Sequence, residues 1–446
     1  EYACTKRACI DLGNGIEHSS CASDTIRAVA ILMAVTGHLD RKGCNIFFPG
    51  EKTDMPRQKN IALHHRYTRE MVDKLVAPEF PKEFQPFMEG TSSAYYRILE
   101  SVLTEEPYPV RCIISPGTQP SVSTRGTKNV IEALKKLDFY VVVDVTETAD
   151  MKYADLVFPT STVYESDHPF EILGNRVMAR NRVIEPLGEY RSIFEFFIEL
   201  GERMGYGDDF WHGSTKKWQE DLLEPFGMTI EELREYPCGK EYPVISGEKT
   251  YENYETIFLR KSMRIEGGPL LEQGKVALYN TLFEKYGYSP MPGWKEQKES
   301  LTSEEGADVR KKYPLIFSDY HTCKAYSASW QRNVLSLRKI MSEPVVHINP
   351  ETASNRSISD GDMVRIESSH GWIKAKAELY PGIRPDTVMM VHGWWQGCDA
   401  LGFKDMPIAD GGSNVNNLYS VEADMYDPLV TAMSSQALVE VSRINE

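Results

Sequence analysis

Two polar turns in this chain follow apolar runs that read as neighbouring strands. Ser115-Pro116-Gly117-Thr118-Gln119-Pro120 leaves the first run, and Asp144, Thr146 and Thr148 leave the second. Open parallel sheets bind ligands beyond the carboxyl ends of their strands, and an Asp there accepts hydrogen bonds from ribose hydroxyls or a guanine edge. A nucleotide-type ligand and plain turn chemistry both account for these residues. Upstream, Gly13-Asn14-Gly15-Ile16-Glu17-His18 lies between an apolar run and a helix. A dinucleotide fingerprint needs a third small residue for close helix packing. His18 stands at that position, so the turn offers backbone amides and two polar side chains rather than a nicotinamide site.

Three further groups have suitable chemistry. Glu165, Asp167 and His168 form a carboxylate–imidazole cluster with the composition for acid–base work, although such a stretch is more often a solvated loop. Gly412-Ser413-Asn414-Val415-Asn416-Asn417 is dense in amides, which present donor and acceptor together and suit a heterocycle edge or a simple polar loop. His392-Gly393-Trp394-Trp395 ends a strand with two large aromatics, which pack in cores and interfaces more often than they shelve a ligand.

The elements that must hold these residues are legible in part. Ser23 or Asp24 caps a helix over 24–34, with Ile26, Val29, Ala30 and Met33 at helical spacing. Between 109 and 205, strands at Val110–Ser115, Phe139–Val145 and Ala154–Phe158 alternate with helices at Lys128–Leu137 and Ser192–Met204. That alternation predicts a parallel α/β layer. From Tyr313 the pattern turns to β. Strands are expected at Pro314–Ser318, Val345–Ile348, Met363–Glu367, Trp372–Leu379, Thr387–His392 and Ala437–Val441. Lys374 and Lys376 alternate with Ala375 and Ala377, giving that strand a wet face. A small closed barrel is expected. Residues 45–90 read as irregular, and 206–312 as helices with long connections. The predicted organisation is 1–108, the later part of a split α/β domain; 109–205, a Rossmann-like cofactor-binding domain; 206–312, a connection; and 313–446, a six-stranded, double-psi-like β-barrel.

The whole chain, 446 residues, bears 50 Lys plus Arg against 65 Asp plus Glu, a net charge of −15. An acidic chain without a basic stripe argues against a nucleic-acid partner. No apolar run approaches the roughly 20 residues a membrane helix needs. The eight cysteines are scattered, without a C-x-x-C pair, so no zinc or iron–sulfur site is expected within the chain.

Taken in order, the motifs resemble the molybdopterin oxidoreductase family of the dimethyl sulfoxide reductase type. The family's first block reads here GNGIEHSSCASDTIRAVAILMAVTGHLDRKGCN (13–45); its second is PGTQP (116–120) with VVVDVTETADMKYADLVFPTSTVYE (141–165). The closing block is HINPETASNRSISDGDMVRIESSHGWIKAKAEL (347–379), VMMVHGWW (388–395) and GSNVNNL (412–418). Family members hold molybdenum or tungsten between two pterin guanine dinucleotides. The resemblance implies that Asn14, Glu17 and His18 lie near a pterin, and that Gly117, Gln119, Asp144, Thr146 and Thr148 hold one dinucleotide arm. His321, Thr322, Tyr326 and Ser327 match the first barrel loop, Asn414, Asn416 and Asn417 the Asn-bearing loop, and Ser435 with Gln436 the polar pair before the last strand. His18 and His392 are the candidates for groups beside the metal. Three positions depart from the family pattern: Gln119, His38 and His18 replace its Asn, Asn and Gln.

The family's amino-terminal iron–sulfur segment and metal-ligand stretch have no counterpart here, so the chain resembles the carboxyl-terminal half to two-thirds of such an enzyme and no metal ligand is named. The implied partners are that missing part, with its [4Fe-4S] cluster, an iron–sulfur electron-transfer subunit and a small-molecule substrate. Substrates in related groups include thiosulfate or polysulfide, oxyanions, formate, acetylene and hydroxylated aromatics; the HSSCASDT turn and the HGWW segment lean towards the last two. The compartment, cytoplasmic or exported, is left open. The competing expectation is a cofactor-free structural or electron-wiring subunit that retains the fold.

Overall fold

A computed structural model describes residues 1–45, 55–56, 70, 95–243, 278–285, 287–320, 326, 329–422, 425–427 and 433–445. The expected irregular segment at 45–90 lies almost wholly outside these residues.

A single helical turn, Asn14–Glu17, precedes helix α1, Ala22–Val35. Helix α2 is Tyr95–Thr104, and strand β1, Cys112–Pro116, follows it. Helix α3, Thr127–Lys136, links β1 to β2, Phe139–Asp144, and β3, Leu156–Pro159, completes a parallel sheet in the order β1-β2-β3. Val130, Ala133 and Leu134 of α3 pack with Leu99 and Val102 of α2 against Tyr140 and Val142 of β2. β2 is buried on both faces, as its unbroken apolar run requires. β3 is not: Leu156, Val157 and Phe158 are 45%, 45% and 40% exposed.

A small antiparallel sheet follows, built from β4 (Glu171–Leu173), β5 (Arg176–Met178) and β6 (Lys240–Glu241). Its hairpin turns at Gly174-Asn175, a turn pair that flanking alternation makes legible, and the reading of the sequence passed over it. Helix α4, Ile193–Arg203, starts in a capping box: the Ser192 hydroxyl accepts from the Glu195 amide, and the Glu195 carboxylate accepts from the Ser192 amide. Helix α5, Thr215–Leu223, contributes Trp218, Leu222 and Leu223 to a core shared with Phe170, Val177 and Ile198.

The last unit is a closed six-stranded barrel, ordered β10-β8-β11-β7-β12-β9. Its strands are β7 (Leu315–Tyr320), β8 (Val345–Ile348), β9 (Met363–Glu367), β10 (Trp372–Leu379), β11 (Thr387–Val391) and β12 (Gln436–Arg443). Alternation sets the register: Ile373, Ala375 and Ala377 point inward while Lys374 and Lys376 keep partial contact with water. Phe317, Val346, Ile366, Val388 and Val439 fill the interior. The fold is thus mixed α/β with a parallel layer and a closed barrel. Among the described residues no helix is long and apolar enough to cross a membrane.

Candidate functional site

The carboxyl edge of the parallel sheet faces the mouth of the barrel. Between them lies a cavity of about 340 Å³ whose lining includes His18, Gln119, Arg125, Asp319, Trp330 and His392. Gly117 turns the chain out of β1 with φ +60°, a conformation that glycine adopts without penalty, and its amide donates to the Val143 carbonyl at 2.8 Å. Gln119 follows and is buried, and its Oε1 meets no hydrogen-bond partner among the described residues. At the end of β2, Asp144 Oδ1 accepts from the Val145 and Thr146 amides at 2.7 and 3.4 Å, while Oδ2 is buried without a partner by the same measure. Burial raises the Asp144 pKa against those amides and the Trp330 side chain, which lower it. Thr148 is fully buried and caps the short helical turn Ala149–Lys152, and Thr146 is half-buried. A buried polar atom left without a bond costs about 1–3 kcal/mol. Two such acceptors, Gln119 Oε1 and Asp144 Oδ2, stand at adjacent strand-end turns, and of the two Gln119 lines the cavity.

The centre of the site is a buried ion pair that the sequence reading missed. Arg125 lies on the loop before α3 and donates to Asp319 at the end of β7 at 3.0 Å, to Asn416 at 2.7 Å and to Ser435 at 2.7 Å. Its guanidinium stacks 3.9 Å above the Tyr419 ring, and the Tyr419 hydroxyl donates to Asp319 at 2.6 Å. Burial alone would raise the Asp319 pKa; Arg125 more than reverses this, with His392 and Tyr419 assisting, and holds the carboxyl well below the usual range. Burial, then Asp319, push Tyr419 well above the ordinary phenol value. The strand-end logic that selects Asp144 applies to Asp319 as well.

Both candidate histidines meet this network. His392 Nδ1 lies 3.3 Å from Asp319 Oδ2. His18 Nδ1 lies 3.3 Å from the Ser435 hydroxyl, and the Ser435 amide donates to the His18 carbonyl at 3.1 Å. Burial and Arg125 lower the His18 pKa, against Asp319 and Glu17. Asn14 and Glu17 stand exposed on the turn before His18 and do not line this cavity.

The amides of the Asn-bearing loop are bonded within the protein. Asn414 Nδ2 donates to the Ser121 carbonyl at 2.9 Å and the Thr127 hydroxyl at 3.0 Å; Asn416 Nδ2 donates to the Val122 carbonyl at 2.6 Å. Asn417 donates to the Ile408 and Asn414 carbonyls, both at 2.9 Å. All three residues are buried. Asn414 and Asn416 therefore bolt the barrel to the α/β layer, and of the three only Asn416 lines the cavity. Gln436 spends its amide on the Glu299 carbonyl at 2.9 Å. Tyr326 packs in the barrel core against Trp394, with its hydroxyl on the Met341 carbonyl, rather than on the cavity wall. Trp394 and Trp395 are buried, as paired tryptophans in a core should be. His321, Thr322 and Ser327 lie outside the described residues.

The Glu165–His168 stretch is not solvated, in contrast to one of the two expectations. Glu165 is buried and accepts from the Thr162 amide and hydroxyl, both at 2.8 Å, and from the Leu187 amide at 3.0 Å. His168 bridges Asp167 at 2.9 Å and Ser192 at 2.5 Å. The connectivity is that of a serine relay, but this serine caps α4 and is itself buried, so the arrangement is structural. Among the described residues, no group of three or more His, Cys, Asp or Glu is placed to hold a metal.

Two family models match the chain: molybdopterin oxidoreductase over residues 2–203 and the molydopterin dinucleotide binding domain over 315–434. Similar curated proteins include the thiosulfate reductase molybdopterin-containing subunit of Salmonella typhimurium, 24% identical across 88% of this chain and 52% of that one. Acetylene hydratase of Syntrophotalea acetylenica is 26% identical across 67% and 39%. Trimethylamine-N-oxide reductase of Haemophilus influenzae is 27% identical across 69% and 39%. The chain thus spans about half the length, or less, of these relatives. The solved structure of acetylene hydratase from Pelobacter acetylenicus superposes with a TM-score of 0.80 at 20% identity, covering 99% of this chain and 62% of that one.

Proposed function

Since the chain belongs to the molybdopterin oxidoreductase family, we propose that it forms one wall of a bis-molybdopterin guanine dinucleotide site in a molybdenum or tungsten enzyme. The observation that carries this reading is the pair of buried, unpartnered acceptors at Gln119 and Asp144. They fit the hydroxyl- and amino-bearing parts of such a cofactor, because an acceptor pairs with a donor and repels a phosphate oxygen. Asp144 would receive ribose hydroxyls or a guanine edge, Gln119 and Thr148 would support it, and Gly117 and Thr146 would shape the turn. His18 and His392 would border the reacting region. When bound, the metal supplies two-electron, oxygen-atom or Lewis-acid chemistry; the chain supplies binding, orientation and the exclusion of water.

On this reading 109–205 is the cofactor-binding α/β domain, 313–446 the dinucleotide-binding barrel, 206–312 their connection, and 1–108 the later part of a split domain. The partners are further polypeptide of the same enzyme, carrying a [4Fe-4S] cluster and the metal ligand, an iron–sulfur subunit, and a small-molecule substrate. A hydration or dehydroxylation is favoured weakly, from the HSSCASDT turn and the HGWW segment and from the likeness to acetylene hydratase.

Metal analysis and cofactor extraction on enzyme purified anaerobically from its native source test the proposal. Molybdenum or tungsten with a guanine-bearing pterin is expected, and Asp144→Ala should reduce the retained cofactor at least tenfold. Native enzyme free of metal and pterin would overturn the reading in favour of a cofactor-free subunit.

A further inference from the structure

We infer that Asp150 is a positioning residue: its buried carboxylate clips together the two strand-end turns that carry Gln119 and Asp144, and so sets the spacing of the acceptors they offer. What those acceptors would hold rests on the reading above. The clip itself requires no ligand.

Asp150 is wholly buried in the helical turn Ala149–Lys152, which follows Asp144 and Thr148 out of β2. Ser121 is wholly buried in the helical turn Pro120–Ser123, which follows Gln119. The Ser121 amide donates to Asp150 Oδ1 at 3.2 Å, and the Ser121 hydroxyl donates to Oδ2 at 2.9 Å. A backbone N–H only donates, and a buried one needs an acceptor. The Tyr140 hydroxyl, on β2, lies 3.4 Å from Oδ1 and 3.2 Å from Ser115 Oγ on β1. Both strands and both turns thus meet around one carboxylate. The Ser121 carbonyl accepts from Asn414 Nδ2, which carries the same chain of bonds to the barrel. Val122 and Ala149, the neighbours of the clipped residues, share a buried cluster with Ile131, Trp395 and Ile408.

Stability does not ask for a charge here. Burial raises the Asp150 pKa to about 6, against the hydrogen bonds from Ser121 and Tyr140, and no cation takes part. At neutral pH the group is mostly ionised, at a cost that a neutral side chain would avoid. What the carboxylate adds is two acceptor oxygens on one short stem. One takes the amide and the other the hydroxyl of the same residue, a two-point grip that fixes the orientation of Ser121 as well as its distance. Gln119 stands two positions from one end of the grip, and Thr148 two positions from the other. Binding groups must be held to within about 0.5 Å by residues that are themselves locked, and this grip locks one turn to the next.

Amide hydrogen exchange on the full chain, at slightly alkaline pH where Asp150 is ionised, reads the clip without any ligand. Asp150→Ala should speed exchange at Ser121 and over residues 145–148 by about tenfold, the loss of a charged acceptor read as local opening. Asp150→Asn, which keeps one acceptor, should fall between it and the wild type. The urea midpoint of Asp150→Asn should be no lower than that of the wild type, so that loosened turns are not the mark of a weaker fold. Guanosine 5′-diphosphate is the probe for the acceptors, and both variants should bind it several-fold more weakly than the wild type. Unchanged exchange in a folded Asp150→Ala variant would overturn the proposal. So would loosened turns in Asp150→Asn that come only with a lowered urea midpoint, or probe binding that neither variant weakens. If Asp150→Ala does not fold, Asp150→Asn decides alone, and exchange equal to the wild type overturns the proposal. A wild-type chain that ignores the probe, while its variants show the expected exchange, would count against the nucleotide reading of Asp144 and leave the clip standing.

Discussion

The barrel and the three-stranded parallel sheet solve the same problem with unequal success. In the barrel every strand pairs on both sides, and the inward residues Phe317, Val346, Ile366, Ile373, Val388 and Ala437 are wholly buried. In the sheet, β2 is covered on both faces while β3 leaves Leu156, Val157 and Phe158 in contact with water. Parallel strands are ordinarily buried on both faces, and exposed edges invite further pairing. The barrel is thus self-sufficient as a hydrophobic unit, and the sheet is not. The site sits on the seam between them and draws its ion pair from both.

The contrast can be tested by substitution, starting where the effect should be largest. Trp394→Ala empties a fully buried position of the barrel core and should cost about 3–5 kcal/mol, read as a lowered urea midpoint. Asp319→Ala leaves the Arg125 charge buried without its carboxylate and should cost about 3 kcal/mol. Adding Arg125→Met should return part of that loss, and a double-mutant cycle measures how much. Next comes a pH effect on the sheet side. Asp150, buried against Ser121 and Tyr140, has its pKa raised by burial to about 6. Because the folded form holds this proton more tightly than the unfolded chain does, its contribution is full below the unfolded pKa. It is lost as pH rises from about 4 through about 6, worth roughly 2–3 kcal/mol. Urea unfolding across that window should show the slope in the wild type and lose it in Asp150→Asn.

Asn414→Ala removes bonds that join barrel to sheet and should cost about 1–2 kcal/mol, with faster proteolysis at the seam as a second readout. The smallest effect is expected at the open edge. Val157→Lys should change the thermal stability of the chain by no more than about 0.5 kcal/mol. The same change at Val388 in the barrel should prevent folding. A large loss at Val157 would show that β3 is covered after all and would erase the contrast.

The barrel was legible because its strands alternate cleanly: three of the six predicted spans, Val345–Ile348, Met363–Glu367 and Trp372–Leu379, coincide with the observed ones. Helix α4 was legible because Ser192 and Glu195 write a capping box into local sequence. What escaped was whatever depends on a distant partner. The amides of the Asn loop are conspicuous, but the carbonyls that take them lie on Ser121 and Val122. Nothing near Arg125 in sequence shows that Asp319 will meet it. The burial of His168 likewise follows from Ser192 and from Phe194 and Trp218 packed around its ring. Side-chain types near a residue were readable; whether they are spent on the protein or left for a ligand was not.

The seam also has a consequence for the order of events as the chain folds. Its bonds join residues 194 to 310 positions apart, from Arg125–Asp319 to Arg125–Ser435. Closing so long a loop is repaid only when both ends are already rigid, since the entropic cost precedes the contacts that offset it. The barrel and the sheet must each be built before Arg125 finds Asp319. A partly folded chain can therefore possess every strand described here and still have no cavity, which makes the cavity the last thing this chain acquires and the first it loses.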